Sequence, residues 1–434
     1  MKTNSPFQFA KKGHKYLLGS YLLGHLLAFC NTFVAADDWS FGGHLKDHLA
    51  ATHYDSDNII TQYGKQTPID NSIDFRFMAE NYWGAWDTKI HYEVLALYGN
   101  TPETQKALTG TALDATGFGL PKDDRRLFQL TDEWDEHDKL DAVHRLDRLY
   151  LGYNGEQLVI RVGRQTVSWG NGLIFHPLDI FSPFSPTDID KDYKTGDDML
   201  YGQWLFENGH DIQMILLPRR NPKNDDVESE QSSLALKYRG RYQEQWEYDL
   251  LAARHFDENV LGFGLSRDIW EAIWRFNLST TRLTEGGTAV SFITNMDYSW
   301  NWFEHNFYGY LEYFHNDIGA TEAAHYLTPD TAMQKRLQRG EVYTRSRDYL
   351  ASGVQIELTP LVNFYTSWLS NLHDNSGLFQ IRGIYDWAEN IQLIGWLDLP
   401  YGSHNTEFGG LEIGNSGQYL APGQRVYLRL SYYF

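Results

Sequence analysis

The sequence predicts an all-β chain, a transmembrane antiparallel β-barrel of about 18 strands (16–18) with short turns at one end and long loops at the other. Three observations lead there. Apolar and polar residues alternate with a period of two through segment after segment, as a wall with lipid on one face and water on the other requires. Short and long connections alternate along the chain. Aromatic residues make up 15% of the 434 residues, and tryptophans gather at the short turns, where a girdle would meet the membrane interface.

The elements follow in order. Residues 1–36 read as a secretory signal peptide: Lys2, Lys11, Lys12 and Lys15, an apolar run from Tyr16 to Cys30, then Val34-Ala35-Ala36 before Asp37. A single spanning anchor is the weaker alternative, because the run is short and broken by Gly19, Gly24 and His25. Residues 37–434 would then form one barrel. Cys30 is the only cysteine, so the mature chain has no disulfide and takes its stability from a large core or a closed sheet.

The first strand is expected at Phe41–Leu49. Ile73, Phe75, Phe77 and Ala79 then alternate with Asp74, Arg76, Met78 and Glu80, and Ile90, Tyr92, Val94 and Ala96 with Lys89, His91, Glu93 and Leu95. Trp246, Tyr248 and Leu250 alternate with Glu247, Asp249 and Leu251, and Trp274, Phe276 and Leu278 with Ile273, Arg275 and Asn277. Short turns are expected at Asn81–Gly84, Asn154-Gly155 (a type I′ hairpin signal), Asn208-Gly209, Arg239–Arg241, Ser266–Asp268, Ser299–Trp302, Thr359-Pro360 and Asp386–Glu389. Longer connections fall near 51–70, 100–142, 165–198, 219–230, 283–288, 315–347, 371–376 and 399–423, with a tight one near Asp257. Trp83, Trp86, Trp270, Trp300, Trp302 and Trp387 all lie at the short turns. A soluble β-sandwich shows the same alternation but needs neither this rhythm of connections nor so many charged residues on one face. Thr101-Pro102 and Thr328-Pro329 mark helix starts inside two long loops.

In the last strand Val426, Leu428, Leu430, Tyr432 and Phe434 share one face, and Arg425, Tyr427, Arg429, Ser431 and Tyr433 the other. This ending resembles the assembly signal of Gram-negative outer-membrane barrels. The resemblance implies insertion by the barrel-assembly machinery through Phe434, a cell outer membrane location, and lipid and lipopolysaccharide as surroundings. The basic cluster Lys335, Arg336, Arg339, Arg345 and Arg347 could meet lipopolysaccharide phosphates or an anionic solute, or serve as a solvated loop face. A net charge of −20 excludes a nucleic-acid binder, whose surface needs cations in excess.

One segment carries the functional signal. Gly163-Arg164-Gln165, three residues, Trp169-Gly170, then Pro177 and Asp179 resemble the strand-to-loop pattern of porin-like proteobacterial outer-membrane barrels, the alginate-export type and related uncharacterised barrels among them. The resemblance implies a channel whose segment after this strand folds against the inner wall. Pro177, Pro183 and Pro186 interleaved with Phe175, Phe181 and Phe184 favour an ordered, packed path over a floppy loop. The expected constriction comprises Arg148, Arg161, Arg164, Trp169, Asp179, Asp188, Asp190, Asp192, Lys194, Asp197 and Asp198. Its charges fit three roles: a plug wedged by salt bridges, a selectivity filter, or a metal site.

The metal reading rests on Asp188, Asp190 and Asp192 at alternate positions of a calcium loop. It fails at Tyr193 and Met199, where glycine and glutamate belong. With no HExxH pair, His44, His48 and His91 are explained as polar lumen residues, and no metal or other cofactor is assigned. Arg76, Glu93, Lys237, Glu247, Arg275, Arg382, Arg425 and Arg429 are the expected lumen wall, with Lys46, Lys89, Asp74, Asp249, Asp297 and Glu357 beside them. Ser168, His176 and Asp179 are the one hydrolase triplet that can be assembled. Without a nucleophile elbow, no enzyme is predicted.

The expected function is therefore an outer-membrane channel for passive or facilitated passage of small polar or charged solutes. Polymer export is the alternative, and an acidic polymer would want a far more basic lumen than this sequence supplies.

Overall fold

The computed structural model describes residues 39–111, 120–188 and 193–434; the expected signal peptide, Asp190 and Asp192 lie outside them. The strands are β1 (Trp39–His53), β2 (Ile69–Trp83), β3 (Trp86–Gly99), β4 (Thr131–His137), β5 (Leu140–Asn154), β6 (Leu158–Gln165) and β7 (Asp197–Leu205). Then come β8 (Asp211–Leu217), β9 (Ser233–Tyr242), β10 (Trp246–His255), β11 (Glu258–Ile269), β12 (Ala272–Arg282), β13 (Thr288–Trp302) and β14 (His305–Asn316). The last are β15 (Asp348–Thr359), β16 (Val362–Asn371), β17 (Gly377–Ala388), β18 (Ile391–Tyr401), the small hairpin β19 (Leu411–Glu412) and β20 (Tyr419–Leu420), and β21 (Gln424–Tyr433).

Each wall strand pairs antiparallel with its sequence neighbour. β21 then closes the ring against both β18 and β1, giving an 18-strand barrel. β4 stands outside that ring: it pairs with β5 at Leu140–Arg145, above the stretch that β6 occupies at Leu149–Asn154. Phe434 seals the seam, its carbonyl accepting from the Gly43 N–H at 3.0 Å and its own N–H donating to the Gly43 carbonyl at 3.1 Å.

The alternation dictates which face each residue takes, and it inverts the usual pattern of a soluble protein. On β21, Val426, Leu428 and Leu430 are exposed, whereas Arg429 and Ser431 are buried. On β9, Leu234 and Leu236 point out while Lys237 points in. An outside this apolar around an inside this polar is the arrangement a lipid-embedded barrel needs. Trp83, Trp86, Trp270, Trp302 and Trp387 are exposed at the short-turn end, and Trp300 stacks beside them on Phe307 with ring centroids 5.4 Å apart.

Several turns depart from expectation. The segments Arg239–Arg241, Ser266–Asp268 and Ser299–Trp302 are strand, and the chain reverses just beyond them, at 243–245, 270–271 and 303–304. The three-residue connection 243–245 has Gln243 and Glu244 left-handed, and the two-residue turns at Phe303-Glu304 and, on the loop side, Phe256-Asp257 have both residues left-handed. Such two-residue turns fit the strand twist, and no Asn-Gly pair announces them. Conversely, Asn154-Gly155 is not a type I′ turn. The connection runs 155–157, neither residue takes a positive φ, and the Gly155 N–H bonds to the Leu158 carbonyl at 2.8 Å. Helix α1 (Asn100–Leu108) holds Pro102 in its first turn. Helix α2 (Thr331–Arg339) starts later than Thr328-Pro329 suggests, because Asp330 caps it, accepting from the Met333 N–H at 2.8 Å.

Candidate functional site

Between β6 and β7 the described stretches 166–188 and 193–196 leave the wall and lie in the lumen. Trp169, Leu178 and Phe181 pack on Met199, Tyr201, Ile215, Leu217 and Leu251 of one wall, and the Trp169 indole N–H donates to Gln213 at 2.7 Å. Across the barrel Phe175 stacks on Phe314 at 4.1 Å, beside Tyr349. Gly170, with φ 92°, makes the bend next to Leu178 and Asn277, where a Cβ would come within 3.2 Å of both.

The strongest anchor is Glu312 on β14. Its buried carboxylate accepts the backbone N–H groups of Leu173 (2.8 Å), Ile174 (3.1 Å) and Phe175 (2.7 Å) and the Asn295 amide (2.9 Å). A carboxylate so cradled is satisfied without a cation. Within the segment, Lys194 donates to Asp179 and to the Val167 carbonyl. Burial pushes the Asp179 carboxyl up and the Lys194 ammonium down, and their contact offsets part of both shifts. Asp179 is thereby engaged by Lys194, so of the Ser168, His176 and Asp179 triplet its carboxylate serves the fold of the segment.

At the near wall a bulge forms. Register shifts between His91 and Tyr92, so Asp147 and Arg148, consecutive on β5, both point inward. Asp147 accepts from Arg76 at 2.9 Å, from Arg145, from Arg148 and from the Gly196 N–H at 3.1 Å. Glu93 accepts from Arg76 and, at 2.6 Å, from Arg145. Arg148 also reaches the Lys194 carbonyl at 2.5 Å, tying wall to segment. Tyr193 lays its ring 4.3 Å from the Arg76 guanidinium. A cavity of about 120 Å³ opens beside them, lined by Lys46, Asp74, Arg76, Glu93, Arg145 and Tyr193.

At the mouth Arg164 bonds Asp198 and Asp123, each at 2.9 Å, and the Phe128 carbonyl at 2.7 Å. Against the burial that would raise it, Arg126 and Arg164 hold the Asp123 carboxyl at about 2. Asp197 pairs with Arg219 at 2.6 Å. Asp197 and Asp198 therefore stand in wall-to-loop ion pairs and present no unpaired charge. Asp188 accepts from the Ser185 N–H at 3.2 Å.

The remaining wall residues spread around the ring. Arg161 lies 5.6 Å from the Tyr150 ring, Lys237 is 3.7 Å from Asp249, Arg275 bonds Asp297 at 2.5 Å, and Glu247 meets Arg241 at 2.6 Å near the short turns. Arg382 lies 4.3 Å from the Tyr365 ring, Arg425 stands opposite Asp398 in register, and Arg429 donates to Gln392 at 3.2 Å. Sequence reasoning missed Glu312, Arg145, Asp147 and Asp123. The run Arg145-Leu146-Asp147-Arg148, where alternation breaks between two charged neighbours, carried the signal of the bulge, and a lone glutamate in Tyr310-Leu311-Glu312-Tyr313-Phe314 carried that of the anchor.

No protein-family profile and no curated protein sequence matches the chain. Solved structures do. It is similar to OccK9 (OpdG) of Pseudomonas aeruginosa, with 11% identity and a TM-score of 0.55 over 92% of this chain and 98% of that one. OccAB2 of Acinetobacter baumannii gives 11% and 0.53 over 92% and 98%. OccK2 (OpdF) of Pseudomonas aeruginosa, solved in complex with glucuronate, gives 11% and 0.50 over 92% and 98%. At this identity the likeness carries the fold, a closed antiparallel β-barrel, and nothing finer.

Proposed function

We propose that the chain is an outer-membrane channel admitting small polar and charged solutes past a constriction formed by the segment 166–196. One observation carries this reading: a closed barrel, apolar outside, whose polar lumen is crossed by an ordered segment that leaves cavities on both of its sides. Near the constriction Arg76, Arg145 and Arg148 surround Glu93 and Asp147, so a passing solute meets paired, fixed charges in a confined low-dielectric space. The structural neighbours include a porin and OccK2, which was solved in complex with glucuronate, a small charged solute.

Export of an acidic polymer gains nothing from a lumen crossed in this way. Lipid would meet the exposed apolar band, lipopolysaccharide the loop end, and the barrel-assembly machinery the strand ending in Phe434, with the short turns in the periplasm. Within the loop cluster, Lys335 and Arg336 already pair with Glu285 and Glu258.

The test is ion conductance of the folded full chain in planar bilayers, together with an epitope after Gly340 that labels on intact cells while one at Asn154 does not. Folded protein without conductance overturns the channel, and reversed labelling overturns the orientation.

A further inference from the structure

Below the crossing segment a cavity of about 510 Å³ opens against β14–β17, and its lining differs from the charged side. Register sets Tyr308, Gln355, Tyr365, Arg382, Trp396 and Tyr427 next to one another on six adjacent strands, β14 to β18 and β21. Their opposite-parity neighbours Leu311, Leu358, Trp368, Tyr385 and Val426 are exposed on the outer face, so the row faces the lumen. The Trp396 and Tyr427 rings stack at 3.7 Å, and Arg382 lies against Tyr365.

One step nearer the segment, Tyr310 stands opposite Gly353. A Cβ at Gly353 would come within 2.5–2.7 Å of the Tyr310 ring and hydroxyl, so only glycine lets that ring lie flat on the wall. Ser367 and Gln380 continue this second row, bonded to each other at 3.1 Å. The arc is thus paved with ring faces interleaved with amides and hydroxyls. Among the described lining residues the one cation, Arg382, is laid on the Tyr365 ring, and the Asp188 carboxylate lines the same space. A charged solute here gives up hydration for little net opposite charge. A neutral pyranose ring offers C–H faces to the tyrosines and hydroxyl edges to Gln355, Ser367 and Gln380.

We propose that this aromatic arc is a binding path for neutral saccharides, one or two pyranose rings at a time. The proposal rests on the channel reading above. Its test is the full chain in planar bilayers with maltose, glucose and glucuronate added to one side. Maltose and glucose should reduce the ion current saturably, with glucuronate needing about tenfold more for half-saturation. Tyr365→Leu and Tyr310→Leu, which keep bulk and remove the ring, should each raise the half-saturating maltose concentration about tenfold at unchanged open conductance.

Folded chain without conductance overturns the channel reading itself. A conducting chain that maltose does not block saturably, or that glucuronate blocks at lower concentration, overturns the saccharide path and leaves the channel standing. So does a folded variant with unchanged half-saturation. If neither variant folds, the maltose and glucuronate comparison on the unaltered chain decides.

Discussion

Two arcs of the same barrel wall treat their inward positions in opposite ways. From β2 to β7 the lumen face is arginine against carboxylate, locked in contacts such as Arg76 to Asp147 at 2.9 Å and Arg164 to Asp198 at 2.9 Å. From β14 to β17 two cross-strand rows set tyrosine rings beside glutamine and serine, with Arg382 laid on the Tyr365 ring. Both arcs obey one rule, apolar out and polar in, and both lie against the same crossing segment. The difference teaches that alternation decides only which way a residue points. What a solute meets is decided by register, which brings residues from separate strands to one height.

The largest expected effect comes from removing what separates the two arcs from the open lumen. Deleting residues 176–192 should raise single-channel conductance severalfold in a barrel that still migrates as a heat-resistant form, since an eighteen-stranded pore is otherwise wide. Unchanged conductance would mean that neither arc borders the limiting passage. Next in size is the anchor on the aromatic side. Glu312→Ala leaves three backbone N–H groups without their acceptor, at about 1–3 kcal/mol each. Amide exchange at Leu173–Phe175 should accelerate on the order of a hundredfold or more, and unchanged exchange would show that aromatic packing alone holds the segment.

A smaller effect tests the charged arc. From sequence, replacing Asp197 and Asp198 with Asn would shift selectivity away from cations. Because Arg219 and Arg164 already neutralise them, the double variant should lose stability, about 3–5 kcal/mol for each broken buried pair, by weakening the mouth rather than by removing a free attraction. A lower unfolding midpoint in urea with little change in reversal potential is the expected result. A large reversal shift at full stability would restore the selectivity role.

The smallest effects are in pH, and they have opposite signs in the two arcs. Asp123, held at about 2 above the charged arc, contributes stability that is present above its ordinary pKa and lost as pH falls toward 2. Glu407, above the aromatic arc, is pushed by burial up to about 7 even though the Tyr349 hydroxyl, the Arg345 N–H and the Asn371 amide all donate to its carboxylate. Its contribution is present below its ordinary value near 4.5 and lost as pH rises through 7. Amide exchange should therefore rise near Asp123 in acid and near Arg345–Ser346 above neutrality, with Glu407→Gln abolishing the second. Exchange that is flat with pH at both places would dissolve this part of the contrast.

Much of this was legible in the sequence, and the reason is physical. Lipid outside and water inside impose a period of two on every strand, so β21, the tryptophan end and the count of eighteen could be read without knowing any pairing. The crossing segment was legible through Phe175, Phe181 and its prolines. The non-glycine turns at Gln243-Glu244 and Phe303-Glu304 left no compositional mark. Nor did the aromatic rows, because Tyr308 and Tyr427 become neighbours of one surface only through six strands of register.

The cradle at Glu312 also bears on how the chain is built. Its three donors come from residues 173–175, roughly 140 positions earlier, so the segment has no acceptor until β14 is in place. Without β14 that stretch is held on the opposite side alone, through Trp169, Leu178 and Phe181 on the first wall and through the Asn171 N–H, which donates to Asn277 of β12 at 3.2 Å. The fourteenth strand thus supplies the far abutment of the span, and a barrel in which that strand is unpaired would hold an arm docked at one end alone.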